Sequence, residues 1–179
     1  MTTEIVETNS MRALRIGKVV VNMSVGASGD PLDHAMTIME QLTQQKPCQR
    51  IAKQTIRSWE IRRREPIACL VTLRGSKAES FLEKALQAIG RKIKSKSFDK
   101  FGNFAFGIRE HIDIPGVKYD PTLGITGMDV LVTIERPGFS IDKKKHANSK
   151  IGHKHLVTPE ETKKFVIEKL GIEVVSTNE

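Results

Sequence analysis

The strongest candidate for acid–base chemistry in this sequence is the string Glu110-His111-Ile112-Asp113. On a strand, His111 and Asp113 would point to the same face and could act as an acid–base pair. Such a pair is more often a solvated pair at a sheet edge. The two cysteines, Cys48 and Cys69, have no spacing relation to a histidine, and Cys69 alternates with apolar residues as a core side chain does. We therefore expect no catalytic residue.

A glycine-containing loop, residues 26–29 (Gly-Ala-Ser-Gly), stands between a predicted strand and a predicted helix, where backbone N–H groups can hold a phosphate. It lacks the Gly-Lys-Ser/Thr ending of a nucleotide-binding P-loop, so a structural turn is favoured over contact with an RNA phosphate. The histidines 146, 153 and 155 fit no common zinc spacing, and we expect neither a metal nor a cofactor.

The charge of the chain favours a polyanionic partner. Lysine and arginine number 29 against 21 acidic residues, which gives a net charge of +8. No run of 18 apolar residues is present, and the first ten residues are polar rather than basic and amphipathic, so no membrane contact is expected. The expected partner is nucleic acid, in the cytoplasm, where both cysteines would be reduced.

The first of two basic segments, residues 46–64, contains one acidic residue, Glu60, and seven basic ones. Arginine dominates it, and arginine pairs with phosphate in a bidentate way that lysine cannot. Trp59 lies inside this segment and could either stack on a base or sugar or anchor the loop in the core. The basic residues are Lys46, Arg50, Lys53, Arg57, Arg62, Arg63 and Arg64.

The second basic segment, residues 143–155, has five lysines, three histidines and no acidic residue. It is poor in hydrophobic residues, so we expect a tail or long loop that becomes ordered on RNA. The lysines expected to contact an RNA backbone are Lys143, Lys144, Lys145, Lys150 and Lys154.

Hydrophobic periodicity and capping signals predict the elements that position these segments. The residues predict strands at 16–23, 67–73, 104–114 and 125–135, and another strand before the basic loop. A first helix should run from an Asp30 N-cap to about Gln45, with Leu32, Ala35, Met36, Met39 and Leu42 on its apolar face. A second should begin with a capping box at 76–79, and a third with one at 158–161, closed by Gly171.

The order β-α-β-β-α-β-β with a helical tail predicts an α+β two-layer sandwich: a mostly antiparallel sheet with helices on one face. A basic loop and a short C-terminal helix complete it. The expected organisation is a flexible N-terminus, an RNA-binding domain with a protruding loop at 55–64, a basic extension, and a C-terminal helix with a tail. Their bounds are 1–10, 11–139, 140–157 and 158–179.

Five blocks of the sequence, taken in order, carry a family resemblance. They are Met11-Arg12 with 18–26 (KVVVNMSVG); Gln45-Lys46-Pro47 running on to Ile61-Arg62-Arg63; 66–68 (PIA) with 71–75 (VTLRG); 102–111 (GNFAFGIREH); and Tyr119-Asp120-Pro121 with 124–130 (GITGMDV). Together they resemble the family of large-subunit ribosomal proteins that carry 5S rRNA, over about residues 10–140. The tail from Arg136-Pro137-Gly138 through the basic stretch resembles the archaeal and eukaryotic branch of that family.

This resemblance implies a non-catalytic role in the central protuberance, with 5S rRNA, large-subunit rRNA and P-site tRNA as partners. It also implies contact with another 5S-binding large-subunit protein, and with a small-subunit head protein across an intersubunit bridge. The tRNA-contacting loop would present Thr55, Arg57, Trp59, Arg62, Arg63 and Arg64. The 5S-facing residues would be Asn22, Gln45, Thr72 and Arg74, with Arg12 and Lys46 beside them.

Two other functions remain open at this point. A general RNA-binding or chaperone protein of the same fold class would bind single strands without sequence choice, although sparse aromatic residues disfavour a stacking platform. The second alternative is a small enzyme that uses residues 26–29 as a phosphate-binding loop.

Overall fold

The computed structural model describes residues 9–175 and contains three α-helices and seven strands. Residues 1–8 and 176–179, which belong to the predicted flexible N-terminus and C-terminal tail, lie outside the described residues. The helices are α1 (Asp30–Thr43), α2 (Ser76–Ala88) and α3 (Pro159–Leu170). The strands are β1 (Arg15–Ser24), β2 (Cys48–Ile51), β3 (Pro66–Leu73), β4 (Lys92–Lys94), β5 (Phe104–Ile108), β6 (Met128–Glu135) and β7 (Glu173–Val175).

Five strands form one sheet in the order β2-β3-β1-β6-β5, and every neighbouring pair is antiparallel. Along β1 the side chains of Val19, Val21 and Met23 are fully buried, whereas the intervening residues are only partly buried. This alternation follows from the two-residue period of a strand, which points successive side chains to opposite faces. One face of the sheet therefore forms the core.

Helices α1 and α2 cover that buried face, α1 against β3 and α2 against β1. The predicted stripe of α1 is buried at Leu32, Ala35 and Met39, and Ile38 joins it. On α2, Phe81 and Leu82 are buried against the same core. The predicted α+β two-layer architecture is confirmed.

Two of the three predicted helix starts are wrong. The N-cap of α1 is Gly29 (φ 88°) instead of Asp30, and that of α2 is Gly75 (φ 61°), so no capping box forms at 76–79. Glycine adopts positive φ freely, which allows a sharp turn from strand into helix and leaves the next residue already helical. The third start is confirmed: Thr158 and Glu161 form a capping box, and Gly171 ends α3 in the left-handed conformation.

The predicted strand 104–114 is correct only as far as Ile108. His111–Asp113 forms a 3-10 turn instead, so the expected same-face pairing of His111 and Asp113 on a strand is wrong. His111 is 3% exposed, and its Nδ1 accepts a hydrogen bond from the Thr126 backbone N–H at 3.3 Å, while Asp113 is exposed. The histidine is therefore a core residue that ties two loops together.

The two cysteines differ in environment, and this difference predicts their reactivity. Cys69 is fully buried, and burial raises the pKa of its thiol to about 11, whereas Cys48 is exposed. Because the thiolate is the reactive form, we expect one thiol per chain to react rapidly with a disulfide reagent, and the second only on unfolding. The folded Cys48→Ser variant should show almost no reaction with the disulfide reagent. Equal reaction rates for the two thiols would contradict this assignment.

Candidate nucleic-acid interface

The sheet face that points away from the helices, called the open face below, has no helix of the described residues packed on it. Its residues align across the strands because cross-strand partners point to the same side. One row runs across all five strands through Cys48, Leu70, Asn22, Asp129 and Gly107. The Asn22 side-chain amide donates to the Ser24 hydroxyl at 2.9 Å.

A second row of the open face is less polar. It runs through Thr72, Val20, Leu131 and Ala105, and Leu131 is 43% exposed although it is a large apolar side chain. Single exposed apolar side chains are common, but here they lie side by side with the polar row. The open face therefore offers apolar contact next to hydrogen-bonding groups, as RNA recognition by stacked and splayed bases requires.

Three of the expected 5S-facing residues lie close together at this face. Asn22 and Thr72 both lie on the open face, and the Gln45 side chain donates to the Thr72 carbonyl at 3.3 Å. Arg74 directly follows β3 and is exposed, and Lys46 is the exposed neighbour of Gln45.

Arg12 is separate from that group. It lies in a short 3-10 turn before β1, next to Met11, which lies against Gly138. That position is at the start of the basic extension, so Arg12 would serve a different part of an RNA contact from Asn22.

The basic loop is a regular extension of the β2–β3 hairpin, called the arm below (residues 52–65). Its base is closed by backbone hydrogen bonds between Ala52 and Glu65 (2.8 Å) and between Arg64 and Ala52 (2.9 Å). Farther out, Ile56 and Ile61 exchange hydrogen bonds of 2.9 and 3.1 Å, and residues 57–59 form a 3-10 turn at the tip. The arm is therefore shaped before any partner binds.

Trp59 stands at the tip of the arm and is 69% exposed, so it does not anchor the arm in the core. The Arg63 backbone N–H donates to the Thr55 hydroxyl oxygen at 3.0 Å, which gives Thr55 a role inside the arm. Arg57, Arg62, Arg63 and Arg64 are all exposed, and within residues 9–175 none of them forms an ion pair.

The carboxylate of Glu65 holds the base of the arm to the loop at residues 26–29. It accepts a hydrogen bond from the Ser28 hydroxyl at 2.6 Å and from the Arg62 backbone N–H at 2.8 Å. The Ser28 hydroxyl and the Arg62 N–H lower the pKa of Glu65, which keeps this group ionised. A negative charge beside residues 26–29 disfavours phosphate there, which supports the expectation of a structural turn.

The basic extension contacts the rest of the chain near both ends. His155 Nε2 lies 2.9 Å from the Pro137 carbonyl oxygen, and the His155 and Phe139 rings are 5.7 Å apart. Lys143 forms an ion pair with Glu135, so its charge is already matched within the chain. These contacts form within the chain, and the expectation that the segment becomes ordered on RNA stays a prediction.

Part of the basic extension borders the open face. A hollow is lined by Lys18 and Thr133, which belong to the open-face side of β1 and β6, and by Phe139 and the extension residues Asp142 and Ile151. The exposed lysines with no ion pair among the described residues are Lys144, Lys145, Lys150 and Lys154. The extension therefore carries unpaired positive charge on the same segment that borders the open face.

No three histidine, cysteine or acidic side chains in residues 9–175 come together as metal ligands would. None of the helices in that range has the length and apolar character that a membrane crossing needs.

Two family models together match nearly all of the described chain. Residues 9–62 match the model described as ribosomal protein L5, and residues 66–172 match the model of the C-terminus of the same ribosomal family. The chain belongs to the ribosomal L5 family. The boundary between the two matches falls within the arm, at residues 63–65.

Archaeal relatives of this L5 family member are similar over almost their whole length. Three of them are described as large ribosomal subunit protein uL5. The protein from Aeropyrum pernix is 51% identical over 92% of this chain and 86% of its own length. The protein from Methanococcus vannielii is 48% identical over 96% of this chain and 97% of its own length. The protein from Nitrosopumilus maritimus is 43% identical over 92% of this chain and 95% of its own length.

Reasoning from the sequence of this L5 family member did not single out Asp129, Gly107, Cys48 or Leu131 as surface residues of interest. Their position on the open face depends on the pairing register of strands far apart in the chain. The only local signal was the alternation of apolar and polar residues in β6, where Asp129 and Leu131 interrupt a buried series.

Proposed function

We propose that this chain is a structural protein of the large ribosomal subunit that binds 5S rRNA through its open face and holds it in the central protuberance. The adjoining sheet edge, with Gln45, Lys46 and Arg74, takes part in the same contact. The arm reaches P-site tRNA. The lysines of the basic extension contact the rRNA backbone. The role is non-catalytic and consists of binding and positioning RNA.

One observation carries this proposal: the open face is left uncovered in residues 9–175 and brings Asn22 and Thr72 together from different strands. Asparagine and threonine side chains offer short hydrogen bonds to base edges, sugars and phosphates. Family membership supports a ribosomal role, and the names of the relatives support the large subunit. The separate positions of the open face and the arm tip support two different RNA contacts.

The double variant Asn22→Ala, Thr72→Val is expected to weaken 5S rRNA binding by about 1–3 kcal/mol, because it removes two proposed specific contacts. Both residues lie on the open face, and the backbone hydrogen bonds of the sheet do not need their side chains. Binding would be measured by filter retention of a 5S rRNA transcript across a range of salt concentrations. Affinity should fall with salt at a log–log slope of roughly 0.7–0.9 per phosphate contact.

The control variant is Thr37→Ala, because Thr37 lies exposed on α1 in the opposite layer. A scrambled RNA of the same length is the control ligand. Equal affinity of the wild-type protein for 5S rRNA and the scrambled RNA would contradict specific binding and favour a general RNA chaperone. Protection of the Cys48 thiol by bound 5S rRNA gives a second readout, since Cys48 lies in the same row as Asn22.

Changing Arg62, Arg63 and Arg64 to glutamine is expected to spare 5S rRNA binding and to weaken tRNA binding, with a salt slope lower by up to about 3. These side chains are exposed on the arm, whereas the open face lies on the sheet. Fluorescence anisotropy with labelled tRNA measures the loss. The matched control removes three exposed lysines of α2 and α3, with Lys77, Lys84 and Lys164 changed to glutamine. Loss of 5S rRNA binding in the arginine variant would show that the two sites are wrongly divided.

A further inference from the structure

One carboxylate of the open face, that of Asp129 near the start of β6, has no polar partner among the described residues. Asp129 is exposed, and its neighbours in β6, Met128 and Val130, are buried, so its side chain points away from the helices. Within residues 9–175 this carboxylate makes no hydrogen bond and no ion pair. Arg109 lines the same end of the face without pairing to it.

A lone carboxylate is unfavourable on a surface that receives a polyanion. A negative charge about 4 Å from a phosphate costs about 1 kcal/mol even in water, and more where water is excluded. The cost is offset only if the bound RNA presents hydrogen-bond donors to the carboxylate. The donors that RNA can offer are the N–H groups of its bases and its 2′-hydroxyls.

The surroundings of Asp129 fit a base. Asn22 on β1 and Gly107 on β5 are the cross-strand neighbours of Asp129. These three residues line a hollow of about 530 Å³ together with Val20 and Leu131. Gly107 adds no side chain, so a ligand can approach the strand closely. The apolar side chains of the neighbouring row offer a surface against which the flat face of a base can pack.

We propose that Asp129 accepts two hydrogen bonds from the Watson–Crick edge of an unstacked guanine, with Asn22 and Gly107 completing the subsite. Among the four bases, guanine alone places two adjacent N–H donors (N1 and N2) on that edge, which matches the two oxygens of a carboxylate. The adjacent Asn22 amide can donate to guanine O6. The subsite rests on the proposed function, because it requires RNA on the open face, and it adds a residue that selects a base.

The test compares the full-length wild-type protein with Asp129→Asn, using a 5S rRNA transcript and an unrelated structured RNA of equal length. Asp129→Asn should lower affinity for 5S rRNA roughly 10- to 100-fold, the value of one bidentate base contact. It should also raise affinity for the unrelated RNA, because a charge that repels phosphate is removed. The control is Asp33→Asn, the same charge change on exposed α1, which should leave the ratio of the two affinities unchanged.

Chemical probing identifies the base. A reagent that modifies guanine at N1 and N2 should find one guanine protected by the wild-type protein and reactive in the Asp129→Asn complex, with the other protections intact. Gly107→Val is the second variant. A β-carbon there meets only the Asp129 carboxylate, at 3.5 Å, and a backbone oxygen at 4.0 Å, so the sheet should fold while the subsite is filled. The complex with Gly107→Val should lose protection of the same guanine.

Two results would overturn the subsite, and they are distinct. If the wild-type protein prefers 5S rRNA but Asp129→Asn binds it equally well with an unchanged guanine pattern, the subsite is wrong and the proposed function stands. If the wild-type protein does not distinguish 5S rRNA from the unrelated RNA, both proposals are wrong.

Discussion

Replacing Glu161 with alanine is expected to lower the free energy of unfolding by roughly 2–4 kcal/mol. Glu161 Oε1 accepts a hydrogen bond from Arg136 Nη2 at 2.7 Å, and the Arg136 side chain is only 6% exposed. Without this partner the buried guanidinium keeps, among the described residues, only a long contact to the Leu156 carbonyl oxygen, at 3.4 Å. The capping box of α3 is lost in the same substitution, because the Glu161 carboxylate also accepts from the Thr158 backbone N–H at 3.1 Å.

The expected loss stays below that for a fully buried pair because the Glu161 side chain is 44% exposed, so water can partly replace it. The control is Glu160→Ala, a neighbouring exposed carboxylate in the first turn of α3, which should cost less than about 1 kcal/mol. Urea unfolding at pH 7 measures both. Equal losses for the two variants would show that the Arg136 contact contributes nothing.

The same contact predicts a pH dependence of stability. Burial raises the pKa of Glu161, but hydrogen bonds with Thr158 and the charge and hydrogen bond of Arg136 outweigh it, so the pKa lies below its ordinary value of 4.5. The stabilisation is therefore complete above about pH 4.5 and is lost as pH falls through the lowered pKa. The difference in unfolding free energy between the wild type and Glu161→Gln should shrink on acidification below that pH. If the difference in unfolding free energy between the two proteins does not change with pH, the predicted pH dependence is wrong.

Replacing Gly102 with alanine is expected to lower the free energy of unfolding by about 2–5 kcal/mol. Gly102 has a φ of +76°, which is unfavourable for any residue with a β-carbon. An added β-carbon would also clash with Thr162 Oγ1 and lie 2.8 Å from Val157 Cγ1, and both of these residues are buried. This glycine therefore allows the end of the basic extension and α3 to pack against the loop before β5.

Gly124→Ala separates the two causes of the Gly102 effect. Gly124 has a nearly equal φ of +72°, but apart from its chain neighbours no atom of the described residues lies within 4 Å of its β-carbon position. Alanine there should therefore cost only the backbone contribution of about 1 kcal/mol. Thermal unfolding followed by circular dichroism compares the two variants. If both lose the same stability, the close packing of α3 at Gly102 has no energetic consequence.

The fold class and most elements could be predicted from the sequence, since they depend on short-range patterns, whereas the family was indicated by the resemblance of five sequence blocks. The alternating series in β1 and the apolar stripes of α1 and α2 depend on periods of 2 and 3.6 residues. The capping box at Thr158 and the glycine at 171 are equally local, because both ends of each hydrogen bond lie within one helical turn. The basic segments were visible for the same reason, as charge along the chain.

Errors arose where tertiary packing overrides local preference. The strand predicted through Asp113 ends at Ile108, because His111 turns inward and pairs with Thr126. Strands β4 and β7 pair although they lie about 80 residues apart in the chain, with Lys92 opposite Glu173. No local sequence pattern predicts this pairing. Ser76 resembled an N-cap, but the positive φ of Gly75 starts α2 one residue earlier.

The sequence by itself determined which residues are basic, which faces of helices and strands are apolar, and which family the chain resembles. Only the tertiary structure decided that Asn22 and Asp129 lie side by side across β1 and β6, and that Lys143 is matched by Glu135. The physical reason is that strand register is set by non-local hydrogen bonds and packing. A shift of one residue would turn every open-face side chain into the core.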